Sequence, residues 1–268
     1  LDYCHKRPSL VARSNPLKIS REDLIKSLEK KGDISTPTKK SPWGIVFKER
    51  RNIFTSEEFK NGLFEIQDEG SQLICEKINP KPGELVWDVC AGGGGKSLLL
   101  AAMMKNKGRV VATDIRAFKL HDLKKRARRA EVFNVFPADI ERISEIHIAR
   151  DGFDKIVVDS PCSGTGTLRR NPDAKWKLKE EWFPELQTKQ IDIIEKALPY
   201  LKKGGKLYYI TCSIEEEENE IVIDKILNKH ADLQKLPCGE NGEDYFKLFP
   251  PESNTDGFFL ATLEKIGE

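Results

Sequence analysis

Between residues 85 and 229 short apolar runs recur at helix-length intervals, and this alternation constrains the fold more than any other feature. Strand-like runs at 85–89, 110–113, 154–158 and 206–210 are separated by helical stretches at 97–106, 116–130, 185–200 and 217–229, with Asn134-Val135-Phe136 a weaker strand among them. Such an order predicts an α/β fold whose mostly parallel sheet is covered on both faces. The tail breaks the pattern, because Tyr245-Phe246-Lys247-Leu248-Phe249 and the run from Phe258 to Leu263 read as a closing antiparallel pair. The chain also differs before Pro80-Lys81-Pro82-Gly83. The first 35 residues are polar and broken by Pro8 and Pro16, although Ser20 with Asp23 resembles a helix cap ahead of Leu24, Ile25 and Leu28. Residues 32–44 are turn-rich, Ile45-Val46-Phe47 and Leu63-Phe64-Glu65-Ile66 are short strands, and 68–78 is a helix. Two domains are expected: a small α+β region at 1–79 and the α/β domain at 80–268.

Composition narrows the setting. With 38% hydrophobic and 33% charged residues, the 268-residue chain has the balance of a globular protein. No apolar run approaches the roughly 20 residues of a membrane helix, and no signal-peptide pattern is present. A cytoplasmic monomer without a membrane partner is the expectation. The cysteines (Cys4, Cys75, Cys90, Cys162, Cys212, Cys238) include no C-x-x-C pair, and His5, His121, His147 and His230 never approach ligand spacing. No metal site is therefore expected, and reduced thiols are the simpler reading than a disulfide framework. Charge is uneven: residues 1–60 hold 14 Lys and Arg against 8 Asp and Glu, and 124–129 read Lys-Lys-Arg-Ala-Arg-Arg. Such clusters suit a phosphate backbone, or a solvated helix face.

The first strand of the series runs into Cys90-Ala91-Gly92-Gly93-Gly94-Gly95-Lys96-Ser97. Glycines there let a ligand approach the backbone, and the following helix offers free N–H donors. Gly95-Lys96-Ser97 matches the end of a P-loop, but the leading glycine of that motif falls at position 90, where Cys90 stands. A dinucleotide fingerprint fails at Ser97. The third reading is S-adenosyl-L-methionine, whose ribose hydroxyls need a carboxylate. Asp114 ends the next strand, 19 positions after Gly95, and Asp139 after the third strand is placed to face the adenine amino group. For either aspartate a helix cap is the plainer alternative.

Two cysteines directly follow strands, in Asp159-Ser160-Pro161-Cys162 and Thr211-Cys212-Ser213. Ligands gather at the carboxyl ends of such strands. A thiolate there suits an acceptor that needs covalent activation, such as C5 of a pyrimidine, which becomes nucleophilic once a bond forms at C6. Cys4, Cys75 and Cys238 read instead as small buried hydrophobes.

At these residues the chain resembles the RNA cytosine-5 methyltransferase family typified by the bacterial 16S ribosomal RNA methyltransferase B and the NOL1/NOP2/Sun proteins. The likeness covers nearly the whole length. It includes residues 61–73, the loop 90–96, Asp114, Asp139, Asp159–Gly166, Arg169-Arg170-Asn171-Pro172-Asp173, Trp176, Thr211-Cys212-Ser213 with Glu218-Asn219, and Asp256-Gly257-Phe258-Phe259. The resemblance implies a Rossmann-like S-adenosyl-L-methionine-dependent methyltransferase with a mostly parallel seven-stranded sheet. RNA, most readily 16S rRNA and alternatively tRNA, would lie along the N-terminal lid and the 124–129 face. A catalytically idle RNA-binding scaffold is the other reading of the same fold. The resemblance makes Cys212 the nucleophile at C6 and gives Cys162 a part in releasing the methylated base. Asp159 would bond the base edge and the methionine amine, and Lys96 would support the active site. Cys90, Ala91, Gly92, Gly93, Gly94, Gly95 and Lys96, with Asp114, Asp139 and Asp159, would bind the cofactor. The family's loop reads Cys-Ala-Ala-Pro-Gly-Gly-Lys, so Gly92 and Gly93 depart from it and a more flexible loop is expected. The ribosomal enzyme's N-terminal helical RNA-binding domain does not precede residue 1, and its absence or removal is expected.

Overall fold

The apolar runs of the central region are strands in the computed structural model, which describes residues 7–49, 52–146 and 151–267. Cys4, His5 and His147 lie outside the described residues. Contacts divide the chain into two units, one of Leu85–Cys90 with Ala138–Glu268, the other of Pro8–Glu84 with Ala91–Pro137.

In the first unit the strands are β5 (Leu85–Asp88), β8 (Phe153–Asp159), β9 (Leu201–Thr211), β10 (Leu233–Leu236), β11 (Phe246–Leu248) and β12 (Phe258–Lys265). β8 pairs in parallel with both β5 and β9, whereas β12 runs antiparallel to β9, β10 and β11. The fold is thus α/β with a mostly parallel sheet and an antiparallel end, as the alternation and the tail implied. Within this unit the order is β10-β12-β9-β8-β5, with β11 off that path against β12. β9 starts five residues before the expected run. Lys202-Lys203-Gly204-Gly205 reads as a turn, yet a register shift against β8 accommodates it as a bulge, with Gly204 at φ 73°. Two helices cover this sheet, here α5 (Trp182–Ala197) and α6 (Glu220–Lys229), burying Ile194 and Ala197 and Val222, Ile223 and Ile226. Trp87 of β5 is buried against the rings of Phe153 and Tyr200, each 5.4 Å away.

The second unit holds an antiparallel sheet in the order β2-β3-β1-β4, from β1 (Leu10–Ser14), β2 (Ser35–Pro37), β3 (Gly44–Phe47) and β4 (Phe64–Ile66). Helix α1 (Arg21–Lys30) buries Leu24 and Leu28 in this core, and Ser20 caps it by accepting from the Asp23 N–H (3.1 Å), as its spacing predicted. Neither β1 nor β2 is expected from the sequence. β1 carries Arg13, a fully buried guanidinium bonded to Gln67 (2.6 Å), whose pKa burial pulls down to about 10 against the opposing pull of Glu65. β2 tolerates Pro37 because it is an edge strand. Helix α2 (Glu69–Ile78) follows the cap Asp68. Its first turn anchors the 40–43 turn, with Glu69 accepting from the Lys40 and Ser41 amides (2.7 and 2.8 Å) and Gln72 from Ser41 Oγ (2.6 Å). The same unit contains α3 (Gly95–Met103), β6 (Arg109–Thr113), α4 (Ala117–Ala130) and most of β7 (Val135–Ala138).

Phe64 sits fully buried between Phe47 and Phe59, with ring centroids 5.8 and 5.5 Å away. Phe64→Ala is expected to cost about 3–5 kcal/mol through lost burial and the cavity left behind, read as an earlier chemical-denaturation midpoint by far-UV circular dichroism.

Candidate active site

Because β5, β8 and β9 are parallel, their carboxyl ends share one edge, where Asp159 ends β8 and Cys90, Cys162 and Cys212 follow the strands. The ladder continues past the strands, with the Val89 N–H donating to Val157 O and the Ser160 N–H to Ile210 O, each at 2.9 Å. The structure brings the two cysteines together: Cys162 Sγ lies 3.3 Å from Cys212 Sγ, both as free thiols. The hydrogen bond to Cys212 pushes the Cys162 thiol well above its usual range, reinforced by burial and by the negative charge of Cys212 and Glu218. Cys162 therefore keeps its proton to higher pH than an ordinary thiol.

Glu218 fixes this geometry. Its carboxylate has no solvent exposure. It accepts from the Ser163 N–H (2.9 Å), the Ser163 hydroxyl and Gln190 Nε2 (3.0 Å). Its main-chain carbonyl accepts from Tyr209 Oη (2.6 Å), a phenol that burial holds protonated far up the pH scale. Asn219 bonds Thr211 Oγ1 (2.5 Å) and donates to Ser213 O (3.1 Å), so the segment after Cys212 folds back on β9. That is why α6 begins at Glu220 and not at the expected 217: the chain leaves helical geometry at Asn219 to aim both side chains inward. Gly166 closes the arrangement, its N–H donating to Cys212 O (2.9 Å), and a Cβ there would meet Cys212 O at 2.8 Å and Gly257 O at 2.7 Å. Asp256 binds Arg170 (2.5 Å) and Arg169 (3.4 Å), so those arginines are held within the fold.

The other unit carries Ala91–Gly95, Lys96 and Asp114. Gly92 and Gly94 have φ of 53° and 81°, a region that disfavours side chains. Gly94 also has Leu123 Cγ at 2.5 Å from where a Cβ would stand. Gly92 and Gly95 have nothing within 4 Å of theirs. Buried Asp114 accepts from the Gly92 N–H through Oδ2 (2.9 Å) and from Arg116 N and Nε through Oδ1 (2.8 and 3.2 Å). Lys96 stands in the first turn of α3. Asp139, in the first unit, caps a short 3-10 turn by accepting from the Glu141 N–H (3.1 Å).

The basic run 124–129 is only partly a surface. Lys124, Lys125 and Arg128 are exposed, but Arg126 and Arg129 turn onto buried Glu65 of β4. Sequence reasoning missed that use; the signal available was Glu65 itself, an acid inside a strand.

A family model described as 16S rRNA methyltransferase RsmB/F matches residues 75–264. The chain belongs to this family. The RsmB/F chain is 34% identical over 262 residues to the ribosomal RNA small subunit methyltransferase B of Photorhabdus laumondii, covering 97% of itself and 61% of that protein. It is 32% identical over 280 residues to the probable ribosomal RNA small subunit methyltransferase B of Bacillus subtilis, covering 97% and 60%. It thus spans about 60% of the length of these curated relatives. A solved methyltransferase homolog from Pyrococcus horikoshii superposes with TM-score 0.84 at 33% identity, over 98% of this chain and 88% of that one. The fold is accordingly the Rossmann-like one that the family resemblance implied. Among the described residues no helix is long and apolar enough to cross a membrane.

Folding holds Cys162 protonated above the ordinary thiol value of 9.0, so the unfolded chain loses that proton first as pH rises. The stability linked to Cys162 is intact below that value and is lost as pH climbs above it. Denaturation midpoints measured from pH 8 to 10.5 should fall more steeply for the wild type than for Cys162→Ala.

Proposed function

We propose that this RsmB/F chain methylates C5 of a cytosine in RNA, using S-adenosyl-L-methionine and a transient Cys212–C6 bond. The observation that carries the reading is the 3.3 Å approach of two thiols that follow adjacent parallel strands. The names of the relatives favour 16S rRNA as the substrate. A cytoplasmic monomer is part of the proposal, with residues 1–79 acting as an RNA-binding lid and 80–268 as the catalytic domain. Exposed Lys124, Lys125 and Arg128 are offered as the phosphate contacts of α4.

The residues present fit the cofactor. The glycine loop leaves open space at Gly92 and Gly95 and leads into a helix N-terminus. Asp114 supplies a carboxylate for the ribose hydroxyls, its oxygens retaining lone pairs beyond those given to Gly92 and Arg116. Cys90 and Lys96 flank the loop, and Asp139 offers its second oxygen to the adenine amine. When bound, the cofactor supplies an electrophilic methyl group on a sulfonium.

The target base must be unstacked, since C6 is not reachable inside a helix. Cys212 Sγ as thiolate bonds to C6, and the C5=C6 π pair moves to C5, which takes the methyl carbon. Asp159 bonds the base edge and the methionine amine. Water then takes the C5 proton, the C5–H electron pair re-forms C5=C6, and the S–C6 bond breaks, returning its pair to Cys212. Cys162 assists this last step, because its retained S–H stabilises the departing thiolate.

RNA containing 5-fluorocytosine should trap a denaturant-resistant adduct in the presence of S-adenosyl-L-methionine. Cys212→Ala should abolish that adduct, and Cys162→Ala should retain it. The reverse pattern would overturn the assignment of roles. Absence of S-adenosyl-L-methionine binding by calorimetry would instead favour the idle scaffold.

A further inference from the structure

We propose that Arg126 is a positioning residue for the cofactor loop, holding the Gly93 carbonyl in place with buried Glu65 as its anchor. This rests on reading residues 90–96 as the S-adenosyl-L-methionine loop. Four consecutive glycines give the loop a large conformational entropy, which must be lost whenever a ligand is held. The loop is nonetheless fixed from outside at three successive residues. Asp114 takes the Gly92 N–H at 2.9 Å. Arg126 Nη1 donates to the Gly93 carbonyl at 2.5 Å. Leu123 lies against Gly94 so closely that no side chain fits there. Leu123 and Arg126 are three residues apart on α4 and so share a face, which makes that face a template for the loop.

What holds Arg126 is the more telling part. Its Nη2 and Nε both donate to Glu65 Oε2, at 3.0 and 3.2 Å. Only 3% of the Glu65 side chain is exposed, against 25% for Arg126. One edge of the planar guanidinium is therefore locked on a carboxylate and the remaining nitrogen is aimed at the carbonyl, which a point-charge ammonium cannot reproduce. Arg129 satisfies the other oxygen, Glu65 Oε1, while its guanidinium carbon lies 3.9 Å from the Phe59 ring centroid. No bond from Arg129 to the loop is present among the described contacts, so the two arginines share an anchor and differ in what they touch. The clamp compensates for the Gly92-Gly93 departure from the family's Ala-Pro.

The test is calorimetric titration of the whole chain with S-adenosyl-L-methionine and, in parallel, S-adenosylhomocysteine. Arg126→Lys should weaken both by about tenfold by returning entropy to the free loop. Arg129→Lys should lower the melting temperature comparably yet leave affinity within about twofold, since its contacts are Glu65 and Phe59 and not the loop. Amide hydrogen exchange of residues 92–95 should quicken in Arg126→Lys and not in Arg129→Lys. Gly93→Ala supplies the same test from the loop side, because its Cβ would stand 3.2 Å from Arg126 Nη1 without touching Glu65; it should also weaken binding. Unchanged affinity in Arg126→Lys and Gly93→Ala, or an equal loss in Arg129→Lys, would overturn the clamp. Failure of the wild type to bind either probe would overturn the cofactor reading itself.

Discussion

A carboxylate taken wholly out of water must be matched bond for bond, and Glu218 imposes that requirement just beyond the strand that delivers Cys212. Leaving a buried acceptor without a hydrogen-bond partner costs about 1–3 kcal/mol, and more when it is charged. Ser163 and Gln190 meet the demand through side chain and main chain. Gln190 also donates to Pro161 O (3.1 Å), so one amide ties α5, the Cys162 loop and Glu218 together. The thiols owe their separation to this network more than to the strands. β8 and β9 bring Cys162 and Cys212 to one edge, but the loop between Asp159 and Gly166 takes its path from the bonds that Glu218 requires.

Glu65 obeys the same rule with a different solution. There the matching groups are two guanidinium ions, and one of them has a nitrogen to spare for Gly93. Both acids lie in segments noted for family likeness, and both fix backbone loops, Glu218 directly at the Ser163 N–H and Glu65 through Arg126. Buried charge here organises loops, with stability as a side effect; the burial of Arg13 beside Glu65 extends the same polar interior.

Much of the fold was legible because apolar strands buried on both sides leave little ambiguity: Val86–Val89, Val110–Ala112 and Ile156–Val158 read directly as strands. The Ser20 cap was equally plain, since a hydroxyl three residues before an acid is a local signal. β1 escaped notice because its buried positions include Arg13 and Ser14, whose partners at Gln67 and elsewhere are distant in sequence. β9 was read short because Gly204-Gly205 signals a turn, and only the register against β8 reveals a bulge. The cysteine pair was visible as two strand ends, though not as a 3.3 Å contact, which depends on long-range bonds. The run 124–129 misled most. Charge is visible in a sequence, but whether an arginine faces water or a buried acid is decided by a strand 61 residues away.

Asn15 shows what such distant bonds imply for the making of the molecule. Its buried amide donates to Gly62 O (3.0 Å) and to Ala130 O (2.8 Å), the latter 115 residues further along the chain. Lys18 reaches Arg129 O (3.2 Å) over nearly the same span. At the pace of a ribosome, roughly 5–20 residues per second, the N-terminal sheet waits on the order of ten seconds for the end of α4 to emerge. Until then the bonds to Ala130 O and Arg129 O are unmade, while those to Gly62 O and Asn61 O are within reach. Residues 8–84 therefore cannot complete the unit alone, and it closes only after α4 has emerged.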